Sequence, residues 1–411
     1  MALGINGVIG GGIFLAPATV ARLAGSWSIF VYLFSGLLMA LIALCFAEAG
    51  GRLGGSGGPF LYAQRAFGPF AGFQVGWFTW IARVTSMASL ANGLITYAAW
   101  LDPAASTGVP RAALITLLLG GLTLINILGV GWGAWTIDLL TIVKLAPLAL
   151  FVVAGLPHVT ASRLIPGEPP SLAGFGEAAL FMIYVISGFE VLVFPAEEMV
   201  DHRRAVPIAI FTTMSIVAAI YLSVHLVAMG TLADLAGSAT PLAAAAQGFI
   251  GPAGAAVITI GALLSICGTE AGMVLTAPRV LYAMAEHGHL PQWLCRVHSR
   301  FRTPWFAITV QGGLGLGLAI AGSFEELAKL SAMARIVSYA ATCLAIPVLR
   351  SRHSGSPGFM VPGGVLVPAA ALVLCAFCVA SATWAHLALL GGAVAAGCVL
   401  YLARKPEPGS V

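Results

Sequence analysis

The chain holds 411 residues, of which 59% are hydrophobic and only 8% are Asp, Glu, Lys or Arg. A soluble domain carries about 25% charged residues, so this composition cannot furnish a water-facing globular surface. That excludes a soluble enzyme, a disordered protein and, with 19 basic against 15 acidic residues, a nucleic-acid-binding face. The reading is an all-α polytopic membrane protein. A spanning helix needs about 20 apolar residues, and the alternation of about ten residues expected of barrel strands is absent.

Apolar runs separated by polar punctuation predict twelve spans, over 1–21, 27–48, 70–100, 112–129, 133–156, 173–198, 205–230, 252–285, 304–322, 326–349, 362–382 and 384–402. With the N-terminus inside, the inner connections hold eleven basic residues: Arg52, Arg65, Arg203, Arg204, Arg296, Arg300, Arg302, Arg350, Arg352, Arg404 and Lys405. The outer ones hold three, Arg22, Arg111 and Arg163. This asymmetry obeys the positive-inside rule and predicts both termini in the cytoplasm. Between spans, 50–68 is glycine-rich and then amphipathic, which suits a short helix at the membrane surface. The stretch 287–303 mixes aromatic and basic residues and reads as a loop anchored at the headgroups. Cys375 and Cys378 form a CxxC inside an apolar run with no histidine or second CxxC nearby, so neither metal nor disulfide is implied.

The first span does not read as one helix. Gly7, Gly10, Gly11 and Gly12 crowd into six residues and Pro17 follows. Each glycine weakens a helix by about 1 kcal/mol and lets another group approach the backbone. Freed backbone groups are tolerated at membrane depth only where they line a protein cavity, so a break is predicted here. A second break is predicted in the sixth span, at 184–190, where Ser187 and Gly188 precede an intramembrane acid, Glu190. Spans one and six are five helices apart, so a repeat of that period is inserted upside down. Interrupted helices at matching positions of inverted halves point to the central site of a transporter. Half-helix N-termini suit a carboxylate, and unwound carbonyls suit an ammonium group. A zwitterionic amino acid satisfies both.

These residues carry a resemblance. The stretch 7–14 resembles the glycine-rich first-helix signature of the amino acid–polyamine–organocation transporters. Gly188, Phe189 and Glu190, followed by Glu197, Glu198 and 203–207, resemble that family's sixth helix and the loop after it. The segment 279–285 with Gly288, Leu290 and Pro291 resembles the end of its eighth helix, and 58–63 with 66–68 resembles its first cytoplasmic loop. The resemblance implies a LeuT-like fold of five plus five inverted helices, with helices 1 and 6 unwound and two further helices at the C-terminus. It divides a single transporter domain, 1–402, into a first repeat (1–156), a second repeat (173–349) and accessory helices (362–402), ahead of a cytoplasmic tail (403–411). Carried over by position, the Gly11 and Gly12 amides hold the substrate carboxylate, and carbonyls near Val8, Tyr184 and Ser187 hold its ammonium group. Ile9, Gly10 and Gly188 complete the backbone site, with Tyr184 and Phe189 as gate or pocket walls. Only nine residues precede Gly10, where the family has a cytoplasmic tail; a start further upstream or a reduced inner gate is expected.

Lys144 lies in mid-span, where an ammonium is costly unless it pairs with carbonyls or loses its proton. In similar transporters a lysine at this place fills the position of a sodium ion, so Lys144 is expected near the first break, with Ser265 as a neighbour, and proton coupling without bound sodium is expected. Glu190 reads equally as a proton-sensitive gate or as an acid bonded to helix ends. Glu270 departs from the family pattern; it either faces the pocket or, as preferred here, pairs with Arg83 or Arg335. Asp138 is expected at the interface. An intramembrane enzyme is disfavoured, since no HExxH occurs, and a pump would need a P-loop. The expected function is proton-linked uptake of neutral amino acids across the cell (inner) membrane, with exchange of cationic amino acids or polyamines as the alternative. No cofactor, nucleic acid or obligatory protein partner is expected beyond the substrate and the bilayer.

Overall fold

The computed structural model describes residues 2–53, 58–129, 134–193, 202–286, 288–352 and 359–403, without the side chains of 2, 3, 134–142 and 202. Among these residues the regular structure is helical and no strand occurs. The first apolar run divides into α1 (Ala2–Val8) and α2 (Gly12–Ala24), separated at 9–11. There follow α3 (Ser28–Leu53), a short amphipathic α4 (Pro59–Phe67), α5 (Pro69–Leu101), α6 (Gly108–Ile127) and α7 (Ala134–Gly155). The sixth run becomes α8 (Leu172–Ile186) and a 3-10 turn, Phe189–Leu192. Beyond it come α9 (His202–Thr231), α10 (Pro241–Phe249), α11 (Pro252–Glu286), α12 (Trp305–Ala321), α13 (Phe324–Arg352), α14 (Leu366–Ala380) and α15 (Trp384–Ala403).

Among the described residues, seven helical stretches are long and apolar enough to cross a membrane, including Gly12–Leu53, Pro252–Glu286 and Phe324–Arg352. The helix α10 falls in a stretch read from sequence as a connection. It starts at Pro241 in the first turn, where a missing N–H costs nothing, and its Leu242, Ala243, Ala245 and Ala246 are buried. The amphipathic helix expected after Gly50 is α4, begun by Gly58 and Pro59. Residues 54–57, Glu197, Glu198, His287, Arg404, Lys405 and the Asp138 side chain lie outside the described residues.

Packing brings distant elements around the two interruptions. The helix α2 lies on α8, α1 packs on the turn 189–192 and on α7, and α5 lies against both α11 and α13. The glycine triplet makes these approaches possible. A Cβ on Gly10 would stand 3.2 Å from the Thr269 methyl, one on Gly11 would stand 2.7 Å from Ile266, and one on Gly12 would touch the Val185 backbone at 3.4 Å. The triplet therefore serves both as a break and as a close-packing face, because at Gly10 and Gly11 the absence of a side chain lets α11 come this near, while Gly12 leaves room for ordinary contact with α8.

Candidate functional site

The first break is short. Ile9 N still donates to Ile5 O at 2.8 Å, Gly10 N turns back to Val8 O at 3.0 Å, and helical bonding resumes when Phe14 N donates to Gly11 O. Ile9, Gly10 and Gly11 are all buried, so the chain changes direction inside the protein. The second break starts where α8 stops. Ser187 is extended, and both its amide and its Oγ donate to Tyr184 O, the latter at 2.7 Å. Gly188 follows with φ +121°, a conformation open to glycine and strained for other residues. A Cβ there would collide with the Gly7 carbonyl. The two breaks thus lie against each other.

Three side chains hold them. Lys144 of α7 is fully buried, and its Nζ donates to Ile9 O at 2.8 Å, Thr269 Oγ1 at 3.2 Å and Asn6 O at 3.3 Å. An ammonium group has three N–H donors and meets three acceptors here. Thr269 passes the connection on by donating to Ser265 O at 2.9 Å, and Ser265 Oγ makes a long 3.5 Å bond to Gly10 O. Tyr221 of α9 is the second. Its hydroxyl lies 3.1 Å from Val8 O and 3.0 Å from Val185 O, so one donor is shared between the carbonyl ends of both interrupted helices. Glu190 is the third. One carboxylate oxygen accepts from Gly188 N at 2.8 Å and from the Tyr339 hydroxyl at 3.1 Å, and the other is paired with Arg335. Arg335 also donates to Ser86 on α5 and Ser331 on α13.

The pairing expected of Glu270 is not the one found. Arg335 is taken by Glu190, and Arg83 donates to Thr276 Oγ1 at 3.0 Å. Glu270 is fully buried, and neither of its oxygens has a hydrogen-bond partner among the described residues. Helix register explains the difference, because Glu190 lies in the turn that packs beside α13 while Glu270 lies on α11 one residue past Thr269. Of the two aromatic residues expected as gate or walls, Tyr184 sets its ring edge-on to Phe324, and its hydroxyl has no partner among the described residues. Phe189 is fully buried between Phe46 and Tyr339, ordinary aromatic packing.

The arrangement sets the ends of two interrupted helices against each other, buried from solvent, with their carbonyls at Val8, Tyr184 and Val185 held by Tyr221 and Ser187. Among the described residues no group of three His, Cys, Asp or Glu side chains is placed to hold a metal ion. Comparison with known proteins decides the lineage: the amino acid permease family matches residues 1–390. The chain belongs to that family. Relatives within it include the serine/threonine exchanger SteT of Bacillus subtilis, 30% identical over 86% of this chain and 83% of its own. The branched-chain amino acid permease BcaP of the same organism is 25% identical over 93% of this chain and 86% of its own. Human Asc-type amino acid transporter 1 is 29% identical over 91% of this chain and 74% of its own. The resemblance read from the motifs holds, and an amino acid permease of this helical, apolar make-up is an integral membrane protein.

Asn6, Thr269 and Tyr221 of this permease escaped the sequence reading. Thr269 had a signal, four residues from Ser265 and so on the same helix face. Tyr221 had only its place in an apolar run.

Proposed function

We propose that the protein carries amino acids across the cell (inner) membrane by alternating access, as a LeuT-like bundle of twelve spans with two inverted five-helix repeats, two accessory helices and both termini in the cytoplasm. The observation that carries this reading is the pair of opposed helix breaks, 9–11 and 187–188, tied together through Tyr221 and Gly188. The Gly11 and Gly12 amides receive the substrate carboxylate, and carbonyls at Val8, Tyr184 and Ser187 receive its ammonium group. Such a site reads the amino acid core and leaves the side chain to the surrounding walls. The relatives' names, which include a serine/threonine exchanger and a branched-chain permease, support neutral amino acids.

In this reading Lys144 stands where a sodium ion would neutralise the carbonyls of the first break, so transport runs without sodium and is linked to protons. Its three bonds to Asn6, Ile9 and Thr269 support that role. The test is uptake of a labelled amino acid panel into proteoliposomes under imposed proton or sodium gradients, with and without internal substrate. Accumulation driven by an inward proton gradient and indifferent to sodium is the expected result. Uptake only into preloaded vesicles makes the protein an exchanger, and strict sodium dependence removes Lys144 from the coupling.

A further inference from the structure

The described residues leave a small set of buried polar atoms unpaired, and three of them belong together. Both carboxylate oxygens of Glu270 and the hydroxyl of Tyr184 lack partners among the described residues, while nearly every other charged side chain at the centre is bonded. Glu270 stands on α11 and Tyr184 on α8, the two helices that close on the glycine triplet. Their positions along those helices fix where the orphaned atoms lie. Ile266, Thr269 and Glu270 follow one another at i, i+3 and i+4 and share one face of α11. On that face Ile266 is the side chain nearest Gly11, and Thr269 is nearest Gly10. Tyr184 is the last turn of α8, immediately before the second break. The orphaned atoms therefore border the two breaks from α8 and α11.

Buried acceptors without donors are costly, and a protein keeps them where something else supplies the donor. We propose that Glu270 and Tyr184 form the subsite for the substrate side chain, and that it selects side chains bearing a hydrogen-bond donor, a hydroxyl or an ammonium group, over aliphatic ones of equal size. This rests on the transport reading above and adds the side-chain specificity that the backbone site leaves open. A site built to hydrogen-bond a substrate group rejects the analogue lacking it far more strongly than an apolar pocket separates isosteres, because its own polar atoms are then stranded.

Isosteric pairs test this directly. The purified full-length protein in proteoliposomes is assayed by competition with threonine against valine, serine against alanine, and lysine against norleucine. The expected result is preference for the donor-bearing member of at least one pair by tenfold or more; the threonine and lysine arms show whether a hydroxyl or a cation is taken. Glu270→Leu is expected to bring the ratio of that pair to unity or invert it, and Glu270→Gln to keep a hydroxyl preference while lowering any lysine preference. Should the leucine variant fail to fold, the wild-type ratios and Tyr184→Phe, expected to halve the preference or more, carry the test. Transport in which valine, alanine and norleucine compete as well as their partners overturns the subsite and leaves the transport reading standing. Absence of transport for every amino acid overturns both.

Discussion

Gly188 lies so close to Gly7, 181 positions earlier, that a Cβ added to it would overlap the Gly7 carbonyl, where the interrupted helices lie against each other. Gly188 holds φ +121°, and any side chain there meets that carbonyl. Gly188→Ala is therefore expected to cost about 1–3 kcal/mol in backbone strain alone, before the collision is relieved. Uptake should fall at least tenfold. Gly272→Ala on α11, where a Cβ has open space, should leave melting temperature and uptake unchanged. Equal effects of the two substitutions on uptake would detach the Gly7–Gly188 contact from function.

Glu190 joins the second break to α13 and α5. Its partner Arg335 is equally buried, with 8% of each side chain exposed. Removing one member of such a pair strands the other and costs about 3–5 kcal/mol. Glu190→Gln and Arg335→Gln should each lower the melting temperature sharply, and the double variant should be more stable than the sum of the two predicts. Strict additivity in that cycle would mean the two groups are not coupled.

The features legible in the sequence are those written in local chemistry. Three successive glycines and a Ser187–Gly188 step state where a helix stops, since the penalty belongs to the residues themselves. Lys144 was legible for the same reason, a charge in an apolar run needing partners. What was not legible depends on register between distant helices. Four ionisable residues, Arg83, Glu190, Glu270 and Arg335, allow several pairings, and only the packing of the turn 189–192 beside α13 gives Arg335 to Glu190. Tyr221 had no local mark, because its importance comes from two carbonyls 177 residues apart that share its hydroxyl.

Tyr221→Phe keeps the ring and removes that one hydroxyl. Val185 O loses this donor and Val8 O is left with its bond from Gly10 N alone, and an unsatisfied buried group costs about 1–3 kcal/mol. The expected result is a melting temperature lowered by several degrees and maximal uptake reduced at least fivefold, measured side by side in detergent and proteoliposomes. A variant with wild-type uptake would show that the link between Val8 O and Val185 O is dispensable.

Two ion pairs tie the first turns of α13 to the interrupted elements, Arg22 of α2 with Glu325 and Lys329 with Glu177 of α8. Both are partly exposed, so each contributes about 0–1 kcal/mol to stability and is screened by salt. If the proposed alternating-access cycle separates these elements, the pairs act as a latch. Glu325→Gln should leave the melting temperature within two degrees or so, while increasing labelling of a cysteine placed at Thr19, which also bonds Glu325. Unchanged labelling would exclude the pair as a latch.

Lys144→Ala is the sharpest test of how the first break is held. It leaves Ile9 O, Asn6 O and Thr269 Oγ1 without their donor in a fully buried place. Thr269 Oγ1 keeps its bond to Ser265 O, but a stranded carbonyl costs about 1–3 kcal/mol, so α1 should loosen from α7 and uptake should fall at least tenfold. Lys144→Arg keeps the charge, but its planar fork does not match three acceptors converging on one point, and intermediate activity is expected. A sodium ion could supply the missing charge in the alanine variant if the carbonyls stay in place, which would appear as sodium-stimulated uptake absent from the wild type. Full activity of Lys144→Ala without sodium would mean that the three bonds are structural decoration, and the coupling role would pass to another residue.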